Sequence, residues 1–280
     1  MSTAAIDDLA DGPINVLVIG AHIDDCDIKT GGTAKKWADR GDNVKFVSLT
    51  NGEAGHHEIG GLELTRTRRA EGQAAADLIG VEFESLDIIE GKLEPTIENR
   101  NKVIRLIREF EPDLVLCHRP NDYHPDHRYG SDLVQDAAYM VTVPAICPDT
   151  PHLDYNPIIC YMHDDFEKPY PLEPDVAVDI DDVIESKFDM LHQHTSQMYE
   201  WLPFNQNILD EVPEDEDDRR EWLVETRSGE FEAVADRFRD GLIDRYGEEH
   251  GSEVQYAEAF QECEYGGTMT PEHEELLFPF

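Results

Sequence analysis

Ile14-Asn15-Val16-Leu17-Val18-Ile19-Gly20-Ala21-His22-Ile23-Asp24-Asp25 runs from an unbroken apolar stretch straight into a knot of polar side chains. Its apolar part, Val16 to Ile19, is short and rich in β-branched residues, the pattern of a strand buried on both faces. The polar residues therefore emerge at the strand's C-terminal end. A second such run, Leu114-Val115-Leu116-Cys117, leads to His124-Pro125-Asp126-His127 and then to a helix pattern containing Leu133, Val134, Ala137 and Ala138. Both polar segments sit at strand-to-helix crossings, the edge where open parallel α/β sheets bind ligands.

The surrounding chain alternates strand and helix patterns. Strands are expected at 14–20, 44–50, 83–89 and 114–118, and helices at 33–40, 62–79 and 97–110. Such alternation predicts an α/β protein with a Rossmann-like parallel sheet covered by helices on both faces. After Pro144 prolines interrupt shorter apolar runs, yet 158–162 and 176–180 still read as strands, with a helix over 183–199. We expect an N-terminal tail over 1–12, a catalytic domain over 13–200, and an acidic helical cap over 201–280 packed on that domain.

The chain has 280 residues, with 62 acidic against 23 basic side chains and a formal net charge of -39. Nucleic acid and anionic membranes are poor partners for such a surface. The acidic residues are spread along the chain and lysine is scarce, which predicts a protein adapted to concentrated salt. The five cysteines show no CxxC spacing, so neither a disulfide framework nor a thiolate zinc site is indicated. Met1 to Asp11 lacks a basic region followed by an apolar one, and no segment has transmembrane length, which makes a cytoplasmic location the expectation.

A nucleotide coenzyme does not suit the first turn. Gly20 to Asp25 has no glycine fingerprint for a pyrophosphate, and two carboxylates there would repel phosphate. Gly31 and Gly32 come later and serve helix packing. Imidazole and carboxylate are instead good ligands for zinc and related divalent ions, and three protein ligands leave a position open for water. His22, Asp25 and His127 make such a set, with Zn2+ expected and Fe2+, Mn2+ or Co2+ also compatible. A bound ion lowers the pKa of its water towards about 7. Asp24 is the candidate base for that water, and His124 can face the same cavity to stabilise an oxyanion or protonate a leaving amine.

These two motifs resemble those of the PIG-L/LmbE-like family of metal-dependent de-N-acetylases. The resemblance covers roughly Asn15 to Val143. It implies a Rossmann-like fold and zinc-dependent hydrolysis of N-acyl groups on amino sugars or their conjugates. It also implies metal ligation by His22, Asp25 and His127, with Asp24 as general base and His124 as electrostatic or acid catalyst. Arg68-Arg69-Ala70-Glu71 resembles the family's Arg-x-x-Glu helix, which makes Arg68 a candidate substrate contact, and Asp126 is placed to orient the histidines. Members occur as monomers, trimers and hexamers, so a homo-oligomer is compatible. The chain departs from the family where Ile23 and Cys26 replace a proline and a glutamate, and where Asp122 stands at a position that is tyrosine in some relatives. Cys26 is expected to fill a buried gap.

His56 and His57, in the loop after the second strand, are candidates for lining the substrate pocket. His118 is expected to be structural. The motif residues leave two rivals to sugar deacetylation. One is an amidase acting on a thiol conjugate or other acylated metabolite, and the other is a relative that binds metal or sugar without turnover. The charge makes its own prediction. Molar salt shortens electrostatic screening to about 3 Å and relieves self-repulsion. Circular dichroism across a salt series should show reversible loss of structure in dilute buffer, and full stability there would refute salt adaptation.

Overall fold

The computed structural model describes residues 12–280. The N-terminal tail expected over 1–12 lies, except for Gly12, outside the described residues. Seven strands form one sheet in the order β3-β2-β1-β4-β5-β7-β6. They are β1 (Asn15–Gly20), β2 (Asn43–Thr50), β3 (Glu82–Ile88), β4 (Leu114–Cys117), β5 (Ile158–Met162), β6 (Val176–Asp179) and β7 (Ala257–Glu262). The first five are parallel, with β1 at their centre between β2 and β4.

Successive side chains of a strand point to opposite faces, so β1 feeds two cores. Val16 and Val18 pack with Ala34 and Trp37 of helix α1 (Asp25–Arg40) and with Ala75, Ala76 and Ile79 of α2 (Gly61–Ile79). Leu17 and Ile19 face the other way. There they meet Val103, Ile104 and Ile107 of α3 (Ile97–Phe110) and Leu133, Val134 and Ala137 of α4 (Pro125–Met140). The run is apolar because both faces are covered. Among the described residues no helix is long and apolar enough to cross a membrane.

The structure departs from the sequence reading at its C-terminal end. The 201–280 stretch was expected to form a helical cap, but it also supplies β7, which pairs antiparallel with both β5 and β6. The sheet is therefore mixed rather than wholly parallel. Ala257-Glu258-Ala259-Phe260-Gln261-Glu262 contains no β-branched residue, so its strand character comes from its neighbours and not from propensity. The helix expected over 183–199 also divides. Helix α5 (Ile184–Gln193) ends at His194, and a π-helical turn, Ser196–Trp201, follows before α6 (Leu202–Gln206).

Glu258 explains how β7 is held. Its buried carboxylate accepts from the Gly32 and Thr33 amides at 2.9 and 2.8 Å and from the Thr33 hydroxyl at 2.6 Å. Lys187 of α5, itself fully buried, supplies the countercharge. Gly32 also leaves room for Ile180, whose Cβ would lie 2.8 Å from a Cβ at that position. Removing one partner of a buried pair leaves an uncompensated charge, which costs about 3–5 kcal/mol. Lys187→Met should therefore lower the urea midpoint with an unchanged m value. An unaltered midpoint would show that the amide bonds alone satisfy Glu258.

Candidate metal centre

The first motif folds into a turn locked by its own carboxylate. Asp25 Oδ2 accepts from the backbone N–H groups of Ala21 at 2.9 Å and His22 at 2.7 Å. It also lies 2.9 Å from His118 Nε2, which reaches it from the end of β4. Gly20 has no alternative here, because a Cβ would stand 2.7 Å from Asp25 Cβ. The second motif opens α4, where His124 is the N-cap. Its Nδ1 accepts from the Asp126 amide at 3.2 Å, and Pro125 suits the first turn. With Nδ1 so engaged, the neutral ring carries its proton on Nε2.

Parallel neighbours β1 and β4 bring these turns together. His22 Nδ1 lies 3.1 Å from His127 Nε2 and 3.5 Å from Asp25 Oδ2, while His127 Nε2 lies 3.5 Å from Asp25 Oδ1. Tetrahedral ligands at zinc distances are about 3.3 Å from one another, a spacing that the His22 and His127 nitrogens meet, while Asp25 approaches the two rings through different oxygens. Among the described residues, two groups bring one donor atom from each of three side chains within 4.8 Å of one another, His22 with His124 and His127, and Asp25 with His118 and His127, and His127 belongs to both. Both outer nitrogens of the histidine pair face carboxylates: His22 Nε2 lies 3.5 Å from Asp126 Oδ2, and His127 Nδ1 lies 3.0 Å from Asp122 Oδ2. Carboxylates so placed fix the orientation and basicity of ligating imidazoles.

The site is electrostatically poised for a cation. Burial opposes charge on His22, but Asp25, Asp126, Glu90 and Asp24 outweigh it and hold the imidazole up at about 9. Burial likewise opposes charge on Asp25, yet His127, His118 and His22 keep its carboxyl well below the usual range. His118 is pushed down to about 4 by burial and by His127, despite the attraction of Asp25. Burial, then His22 and His127, lowers His124. Asp24 is only 3 % exposed, and its carboxylate has no hydrogen-bond partner among the described residues. Cys26 is a buried thiol pushed well up by burial and by Asp27 and Asp25. Its Sγ lies 3.5 Å from the Val18 carbonyl, which makes it a packed side chain turned away from the ligands.

Two cavities meet at the cluster. One, of about 340 Å3, reaches from His22 and His124 to Arg68, Glu90 and Trp201. The other, of about 350 Å3, holds Asp24, Asp25 and His127 with Asp122, Asp164 and Glu230. Arg68 faces the first cavity, and its Nη2 donates to the Gly55 carbonyl at 2.7 Å. His56 and His57 do not line either cavity, contrary to the sequence reading. His56 is spent on Glu200 at 2.7 Å and on the Glu58 and Ile59 amides, and His57 is stacked between His56 and Phe204. Loop position alone did not show that these rings would be taken up by the wall.

Sequence reasoning missed three groups. Asp122 was noted only as a replacement for tyrosine, but it both accepts from the His124 amide at 2.8 Å and faces His127. Its position two residues before a histidine N-cap was the available signal. Glu90 accepts from the Ala54 and Gly55 amides at 3.0 and 3.1 Å and so shapes the first cavity. Gln197 and Trp201 enter from the π-helical turn, for which the sequence carried no signal.

A sheet covered on both faces, with His and Asp groups at the carboxyl ends of adjacent parallel strands, defines the class as an α/β protein with a candidate metal site at its strand ends. The family profile described as PIG-L, GlcNAc-PI de-N-acetylase, matches residues 17–138. Diacetylchitobiose deacetylase of Thermococcus kodakarensis is 33% identical over 210 residues, which span 69% of this chain and 75% of that protein. The chain belongs to the PIG-L family of de-N-acetylases. A relative with another named activity, 4-oxalmesaconate hydratase of Pseudomonas putida, is 25% identical over 195 residues, 67% of this chain and 75% of that protein. Among solved structures, N,N'-diacetylchitobiose deacetylase from Pyrococcus horikoshii superposes with a TM-score of 0.69 at 24% identity, covering 94% of this chain and 90% of that one. This last likeness is one of fold.

The elevated His22 sets a pH signature for metal uptake. Below about pH 9 the metal-free ring holds a proton, whereas only the neutral ring can ligate, so affinity should weaken as pH falls. At pH 7 calorimetry in two buffers of different ionisation enthalpy should register release of about one proton per zinc ion bound. Binding without proton release would show either that the metal-free ring is already neutral at pH 7 or that His22 does not ligate, and loss of zinc affinity in His22→Ala would identify the first.

Proposed function

We propose that this protein hydrolyses the N-acetyl amide of an amino sugar or amino-sugar conjugate, using a divalent ion, zinc by preference, held by His22, Asp25 and His127. One observation carries this reading: the His22 and His127 nitrogens lie 3.1 Å apart with an Asp25 oxygen 3.5 Å from each, Oδ2 towards His22 and Oδ1 towards His127, beside a buried Asp24 carboxylate that is committed to nothing else. The relatives named as deacetylases support the choice of amide and of sugar. The acidic composition supports operation in concentrated salt.

An ion in that set would polarise the amide carbonyl and lower the pKa of a water molecule from about 15.7 towards about 7. Asp24, free of other partners, takes the proton of the attacking water as its oxygen bonds to the carbonyl carbon. His124 presents its Nε2–H to the oxyanion, because Nδ1 is occupied by the helix cap. Asp24 then returns its proton to the nitrogen as the C–N bond breaks, which releases a carboxylic acid and a free amine. Asp126 and Asp122 keep the two ligating rings in place from behind.

The relative named as a hydratase favours a second reading, addition of water without amide cleavage. Free-amine release from a panel of N-acetylated amino sugars, in high salt with zinc supplied, separates the two. Asp24→Asn should lower kcat by about 10²–10⁴-fold while zinc stays bound. Unchanged turnover in that variant would remove Asp24 from the mechanism. Silence of the parent protein across the panel, with zinc bound, would favour hydration, another acyl amide or a binding role.

A further inference from the structure

Four residues of the first cavity come from a single segment that the catalytic reading does not use. Gln197, Trp201, Leu202 and Asn205 line it opposite Arg68 and Glu90. Their spacing puts them on one face of the continuous helical path, while Met198 and Tyr199 turn into the core. Gln197 also lines the second cavity, so its amide stands where the two meet beside His22. Its Oε1 is buried without a hydrogen-bond partner, a condition that native structures rarely leave uncorrected. As placed the oxygen has no free surface, so a turn of the side-chain amide would be needed to present it, or the amide nitrogen, to a ligand in the cavity.

The segment is held from several sides. Glu71 of α2 accepts from the Ser196 amide at 2.8 Å and from its hydroxyl at 2.7 Å. His194 pairs with Asp27 of α1 at 3.0 Å, both fully or almost fully buried. Glu200 meets His56 at 2.7 Å, and the Tyr199 hydroxyl lies 2.6 Å from His192 Nδ1. Phe204 is stacked on His57 at 4.2 Å and beside Trp201 at 6.0 Å. Arg68 and Glu71 thus have linked tasks one helical turn apart, the first facing the cavity and the second fastening its far wall. Single π-helical turns inside helices are frequent at functional sites.

Resting on the proposed sugar-amide hydrolysis, we infer that Ser196–Trp201 is the carbohydrate-recognition wall, with Trp201 as stacking platform and the Gln197 side-chain amide as its polar contact. A pyranose has an apolar C–H face and a rim of hydroxyls. Its complement is an aromatic face with a few fixed polar groups, which Trp201, Gln197, Asn205 and Glu90 supply.

The test uses the zinc-loaded full chain in high salt, with Asp24→Asn as background to stop turnover, and N,N'-diacetylchitobiose as probe. The sugar should change tryptophan fluorescence in this protein and in its Trp222→Phe form, and the change should vanish with Trp201→Phe. Trp201→Ala and Gln197→Ala should each weaken binding about tenfold. Should Trp201→Ala fail to fold, Trp201→Phe and Gln197→Ala still decide the matter. Unaltered affinity in these variants, alongside normal amine release by the parent, would overturn the wall and leave the hydrolase reading intact. Trp201-dependent binding by a parent that releases no amine would do the reverse, and absence of any sugar binding would overturn the wall.

Discussion

A single carboxylate oxygen, Oδ2 of Asp25, holds the end of β1, the start of α1 and the end of β4 in one place. It gathers the amides of Ala21 and His22 and the ring of His118 within 2.7 to 2.9 Å. Charge-assisted bonds of this kind are roughly twice as strong as neutral ones, and here they are buried. The other oxygen is left facing His127. The geometry of the metal set, the need for glycine at position 20 and the direction of His22 all follow from this arrangement.

Around that anchor, charge is balanced in layers. Each inner imidazole has a carboxylate at its back, Asp126 for His22 and Asp122 for His127. His118 stacks on His127 at 4.0 Å, and its depressed pKa keeps it neutral. The surrounding carboxylates create the demand for a cation that His22 meets with a proton when no ion is bound. Burial sharpens every one of these interactions by excluding water. The same low dielectric would penalise the cluster heavily if its members were left unpaired.

The C-terminal third of the chain closes the site that the N-terminal half begins. Glu258 on β7 binds the amides of Gly32 and Thr33 in α1, and Lys187 neutralises it from α5. Helix α5 leads into the turn that brings Gln197 and Trp201 to the cavity. A part of the chain that looked like an accessory cap is thus joined to α1 through amide bonds to a fully buried carboxylate whose countercharge comes from α5. Its position is set by electrostatics and packing together.

Strands β1, β4 and β5, the helices over 97–110 and 61–79, and the two polar motifs were all readable from the sequence, because burial on both faces and helical periodicity are local patterns. The three expected ligands do come together in space, since they follow strands that parallel pairing makes neighbours. Strand β7 was not legible, because a buried Glu258 reads as surface until Lys187 and two amides are found beside it. Asp122, Glu90 and the π-helical turn were hidden for a related reason, as their roles depend on partners distant in the chain. His56 and His57 were misplaced on the same account, their rings being claimed by Glu200 and Phe204. By itself the sequence determined the sheet's centre and the chemistry offered at its edge, both products of short-range pattern. Only the tertiary structure decided which carboxylate faces which histidine and what lines the cavity, because those pairings are made across long separations by burial.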